Sequence, residues 1–141
     1  MPDAGGEVPD GFKRHFRRSP LTDPWEPLYS RRDGERLLLA VRVDVPHTNA
    51  RGLAHGGLIS ALSDNAMGLV CALAVGNRGA VTVSLSLDFV GAVHAGQWLE
   101  VAADPIKLGC TLAFAQAVVT ADGEPVARAS AVFRMVGSKG N

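Results

Sequence analysis

Asp64 is the only carboxylate in a long apolar stretch from Leu58 to Val75, where the other polar side chains are Ser60, Ser63 and Asn65. A carboxylate among apolar neighbours is costly unless something compensates it, so Asp64 is the first candidate for acid–base or nucleophilic work. Its plainer reading is a buried hydrogen-bonding residue. Just before this stretch stands His55-Gly56-Gly57. The first N–H groups of a helix have no intrahelical partner, and two residues without Cβ let a ligand approach them closely. The helix dipole favours negative charge there, so a polarised carbonyl oxygen or a phosphate would fit. The alternative is a tight turn into the helix and nothing more.

Positioning these groups requires the helix itself. Eighteen residues at about 1.5 Å each span roughly 27 Å, enough to cross a small domain. Apolar residues on all sides predict burial rather than a surface position. Upstream, residues 25–32 and 35–45 flank Asp33-Gly34 and read as a β-hairpin, with Leu37, Leu39, Val41, Val43 and Val45 on one face. Pro46 ends the second strand. Downstream, Val81 to Phe89 alternates with a period of two. Residues 97–107 and 111–121 form the next pair, Asp122-Gly123 marks another hairpin, and 125–136 is the last strand. The order is a hairpin, one long helix, then a meander of antiparallel strands.

The expected organisation is one domain over residues 25–136, a flexible or partly helical segment over 1–24, and a tail over 137–141. Phe12 and Phe16 are four apart and are expected to pin one helical turn onto the body. The basic cluster Lys13, Arg14, Arg17 and Arg18 reads first as a solvated face, and second as a contact for an anionic ligand. With 14 basic and 14 acidic residues, no overall field points to nucleic acid or a membrane. No signal pattern opens the chain, and Asp64 argues against a membrane-spanning helix, so a cytoplasmic location is expected. Cys71, Cys110 and the four histidines show no metal-ligand spacing. No metal, cofactor or disulfide is expected.

One helix and enough strands to wrap it predict an α+β fold of the hot-dog kind, a long central helix wrapped by a curved antiparallel sheet. Here the chain resembles the hot-dog acyl-CoA thioesterases of the phenylacetic-acid-degradation type. The resemblance rests on Asn49, His55-Gly56-Gly57 six residues on, and an acid seven residues after the second glycine. The 81–89 strand followed by Gly96, and the hairpin around Asp122-Gly123, also look like the family's.

The resemblance implies that Asp64 is the catalytic nucleophile or the base activating water, and that Gly57 with Gly56 polarises the thioester carbonyl. It implies that Asn49 positions the water or the carbonyl, that His55 fixes the loop or the thioester end, and that Thr82 or Ser84 assists the water. Each also has an ordinary structural reading: a turn or cap for Asn49, a hydrogen-bonding role for His55, sheet positions for Thr82 and Ser84. Some relatives carry Thr or Ser where this chain has Gly68, and many carry Arg where it has Gly109-Cys110. Both departures bear on substrate identity more than on reaction type.

Gly57 and Asp64 are about 10 Å apart along one helix, too far to grip one carbonyl. A two-fold dimer with antiparallel helices brings Asp64 of one chain to the Gly57 end of the other. Ser60, Met67, Gly68 and Cys71 are then expected to line the site, and the resemblance extends the dimer to a tetramer. The reading is an acyl-CoA thioesterase with acyl-CoA as its partner molecule and an aryl- or medium-chain acyl group. The alternatives are an acyl-CoA sensor and a hot-dog hydratase or dehydratase. The first would usually carry a DNA-binding region, and the second needs an acid–base pair that does not follow His55.

Overall fold

The computed structural model describes residues 7–76 and 78–137. Helix α1 (Gly56–Ala74) runs across a sheet of seven strands. These are β1 (Lys13–Arg14), β2 (Tyr29–Asp33), β3 (Arg36–Arg42), β4 (Gly79–Phe89), β5 (Trp98–Leu108), β6 (Leu112–Ala121) and β7 (Glu124–Val136). All pairings are antiparallel, in the order β1-β2-β3-β5-β6-β7-β4. This is the hot-dog arrangement that the sequence predicts.

The helix starts where expected and ends at Ala74; beyond its C-cap Val75, Gly76 with a φ of +85° is the left-handed terminator. Its buried side carries Leu58, Leu62, Ala66 and Val70, which pack on the inward residues of β3, β5, β6 and β7. The alternation is clearest in β6, where Ala113, Ala115, Ala117 and Val119 are buried while Leu112, Phe114 and Val118 are exposed; β3 is instead buried on both faces from Leu37 to Val41. Small inward side chains let the sheet approach the helix closely. Burial is not all-round, as the composition suggested. Gly56, Gly57 and Asn65 are exposed, and Ser60, Ala61, Asp64 and Gly68 are half-buried. By length and composition α1 would suffice to cross a membrane; here its apolar side is the core of the domain.

Two expectations about strand order and the N-terminal segment are corrected. The later strands are not a simple meander, because β4 lies at the far edge beside β7 and β5 pairs with β3 and β6. Residues 13–14 form a strand on β2 rather than a helical turn. In an extended chain Phe12 and Phe16 do not share a face as they would in a helix. Phe12 packs edge-on against Trp98 with ring centroids 5.3 Å apart, while Phe16 is 62% exposed. Val8, Phe12, Tyr29, Ala40 and Trp98 thus form a second, smaller apolar cluster.

Leu62 lies at the middle of α1 with no exposed surface. Leu62→Ala is expected to lower the unfolding free energy by about 2–5 kcal/mol. Urea titration followed by circular dichroism measures it.

Candidate active site

The entry to α1 is held by loop hydrogen bonds. His47 is buried; its Nδ1 accepts from the Asp44 N–H at 2.9 Å, and its Nε2 lies 2.9 Å from the Trp25 carbonyl oxygen. Its own carbonyl accepts from the His55 N–H at 2.9 Å, which fixes the residue that opens the helix. The His55 side chain then caps α1, with Nδ1 accepting from the Gly57 N–H at 2.7 Å. The Gly57 donor is therefore engaged, whereas the Gly56 N–H has no partner among the described residues. A Cβ at Gly57 would sit 2.9 Å from His55 Nδ1, so this cap requires glycine. Asn49 folds its own loop: Oδ1 accepts from Arg51 N–H at 2.8 Å and Leu53 N–H at 3.2 Å. Its side-chain amide hydrogens remain available as donors.

Two turns further along, Asp64 Oδ1 accepts a hydrogen bond from the Thr82 hydroxyl at 2.7 Å. Thr82 and Ser84 would share a face in a regular strand. The pairing register of β4 on β7 shifts at Val83, so Thr82 pairs with Phe133 and Ser84 with Val132. Adjacent residues of β7 face opposite ways, and Phe133 is the buried one. The extra residue thus aims Thr82 at the helix and sends Ser84 to the outer face.

The remaining candidates separate. Ser60 is half-buried and donates to the Gly56 carbonyl at 2.8 Å. Met67 and Cys71 lie in the core with no exposed surface. Gly68 borders a cavity of about 200 Å³ together with Asp64, Thr82, Leu69, Ala72 and Phe133. A Cβ on Gly68 would come within 3.2 Å of the Phe133 ring, so glycine leaves space there.

Residues 15–22 supply another wall of that cavity through His15, Arg17, Arg18, Ser19 and Thr22, and Arg78 adds a further cation. The basic cluster in the sequence was the only signal for this wall; nothing in the spacing placed it beside Asp64. His15 hydrogen-bonds Ser30 Oγ at 2.9 Å. Burial lowers its pKa from the ordinary value against the opposing field of Glu26, and Arg17 lowers it further.

A family comparison accords with this geometry. The chain belongs to the thioesterase superfamily, whose family model matches residues 51–128. It is 44% identical over 130 residues to a Pseudomonas aeruginosa protein that carries a provisional esterase name, covering 91% of this chain and 97% of that one. It is 34% identical over 90 residues to mouse acyl-coenzyme A thioesterase 13, covering 61% of each. Among solved structures, the N33D mutant of the phenylacetic acid degradation protein PaaI from Thermus thermophilus superposes with a TM-score of 0.75 at 24% identity, over 84% of this chain and all of that one. A Streptococcus mutans protein solved with acetyl-CoA gives 0.76 at 24% identity, over 89% and 97%.

Both cysteines are free; Cys110 is exposed, and burial pushes the Cys71 thiol up to about 11. At pH 8 the native protein is expected to release colour from an aromatic disulfide reagent for one thiol per chain, and for two after denaturation. Two fast thiols in the native state would contradict the buried position of Cys71.

Proposed function

We propose that the protein is an acyl-CoA thioesterase that hydrolyses an aryl- or medium-chain acyl-CoA to the free acid and CoA. The observation that carries this reading is the Asp64–Thr82 hydrogen bond at the border of a cavity, in a chain of the thioesterase superfamily. The similarity to acyl-coenzyme A thioesterase 13 supports CoA as the thiol.

Thr82 binds Oδ1 of Asp64, which leaves Oδ2 to act. As a base, Oδ2 takes a proton from water while the water oxygen bonds to the acyl carbon; as a nucleophile, it attacks that carbon itself and water later releases the acid. In either case the carbonyl oxygen gathers negative charge, and the CoA thiolate leaves and takes a proton. The Gly56 N–H, free of other partners, meets that charge at the helix N-terminus together with an Asn49 amide hydrogen. The Gly57 N–H joins them once the His55 ring turns away from it.

The site is shared between two chains. Edge strand β4 carries exposed Val81, Val83 and Phe89, and the uncovered stripe of α1 carries Gly57, Ser60 and Asp64. A two-fold partner covering both would place its own Gly56–Gly57 end against Asp64. The exposed Leu112, Phe114 and Val118 on the outer face are where a second dimer packs to form a tetramer. The reaction takes place in the cytoplasm.

Thiol release from a panel of aryl- and alkyl-acyl-CoA esters tests the reading. Asp64→Asn is expected to lower kcat at least about a hundredfold. Thr82→Val is expected to cost about tenfold, with Thr82→Ser restoring most of it. Binding of acyl-CoA without hydrolysis would instead make the protein a sensor.

Shared sites have a separate consequence. Asp64→Asn and Asn49→Ala chains, unfolded together in equal amounts and refolded, are expected to recover about a quarter of wild-type activity, from one intact site in each mixed dimer. No recovery would place each site within a single chain.

A further inference from the structure

The cavity beside Asp64 carries positive charge that thioester hydrolysis does not require. Three arginines and one aspartate are among its lining residues: Arg17, Arg18, Arg78 and Asp64. Arg78 acts as a clasp, each of its three nitrogens donating to a carbonyl: Gly137 at 2.8 Å, Cys110 at 3.1 Å and Met135 at 3.2 Å. Arg18 donates through Nε to Asp23 at 3.1 Å, which leaves its two terminal nitrogens free. Among the described residues, no hydrogen bond or ion pair engages Arg17. The rest of the lining includes apolar Leu69, Ala72, Ala80 and Phe133. A small, partly apolar cavity is therefore bordered by one arginine, Arg17, without an ion-pair partner among the described residues, and by a second, Arg18, with free terminal nitrogens.

We propose that this cavity receives the acyl group of the substrate and that Arg17, assisted by Arg18, binds a carboxylate carried at the end of that group. The assignment rests on the thioesterase reading and names its substrate class, a compact acyl group with an anionic end. The apolar wall takes the hydrocarbon part, and the guanidinium fork matches a carboxylate in two-point geometry. A volume of about 200 Å³ lies below the roughly 300–1,000 Å³ of pockets for drug-sized ligands. Within one chain, it suits a compact acyl group. A site with unpaired donors discriminates against an analogue that lacks the acceptor.

The test compares kcat/KM for glutaryl-CoA and pentanoyl-CoA, which have acyl chains of equal length and differ in the terminal carboxylate. Wild type is expected to favour glutaryl-CoA by about tenfold, a modest factor because Arg17 is solvent-exposed. Arg17→Gln brings the ratio close to one, and Arg17→Glu reverses it. A wild-type ratio of one or less overturns the proposal, as does a ratio unmoved by Arg17→Glu. Equal losses on both esters in the Arg17 variants also overturn it, and assign the arginine to the CoA phosphates instead. Good turnover of pentanoyl-CoA without a glutaryl preference removes this inference and leaves the thioesterase reading intact. No turnover of either ester or of the wider panel removes both.

Discussion

The apolar side of α1 is buried against one curved sheet, and the described residues contain no second layer to cover the helix's other side. Leu58, Leu62, Ala66 and Val70 commit one side of the helix to the core, and the remaining stripe is left at the surface of the protomer. That stripe is built from small and polar residues: Gly57, Ser60, Ala61, Asp64, Asn65 and Gly68. A stripe of leucines there would be a large exposed apolar patch. Glycine and serine instead leave room against the helix backbone, and Asp64 gains access to solvent and ligand without losing its place at the centre of the fold. The burial that holds the domain together thus also decides which helix residues can do chemistry.

Strand β4 answers the same constraint from the sheet. It lies at the edge beside β7, and the register shift at Val83 rotates its first residues relative to its last. Before the shift Thr82 faces the helix; after it Leu85, Leu87 and Phe89 do, opposite Ala131, Ala129 and Ala127. One strand can therefore place a hydroxyl on Asp64 and an apolar ring near Gly56, about two turns earlier on α1. A regular strand would have kept one face throughout and sent Thr82 to the side that Ser84 occupies.

Much of this was legible in the sequence, because period-two alternation and a long apolar stretch are local signals. The inner part of the hairpin around Asp33-Gly34, the helix limits to within two residues, the last three strands, and the pairing of His55-Gly56-Gly57 with a following acid could be read from residue order. The hairpin's outer ends could not, since Trp25 and the exposed Val45 lie in short 3-10 turns. What escaped depends on partners distant in the chain. Alternation in 81–89 is blind to a bulge, since the extra residue shows only against β7; this is why Thr82 and Ser84 looked equivalent. Met67 and Cys71 were placed beside Asp64 by helical spacing, but the sheet claims that side of the helix. The position of β4 beyond β7 has no sequence mark, and neither does the path that carries Arg17 and Arg18 to the cavity. His55 was expected to fix the loop or the thioester end, but only the cap geometry reveals that its ring occupies the Gly57 N–H.

The charges around Asp64 are arranged so that none of them holds it. Four cations, His15 included when protonated, come from the residues bordering its cavity, yet none is bonded to it. Arg18 is drawn to Asp23, Arg78 to three carbonyl oxygens, and His15 to Ser30. The partner that does reach Asp64 is a neutral hydroxyl, which fixes one oxygen and leaves the other unencumbered. A guanidinium in that place would hold both oxygens in a fork and reduce their capacity to take a proton or attack a carbon. With the arginines anchored elsewhere, cations stay near Asp64 while one of its oxygens keeps no partner among the described residues. The two are compatible because each nearby cation except Arg17 has a partner other than Asp64.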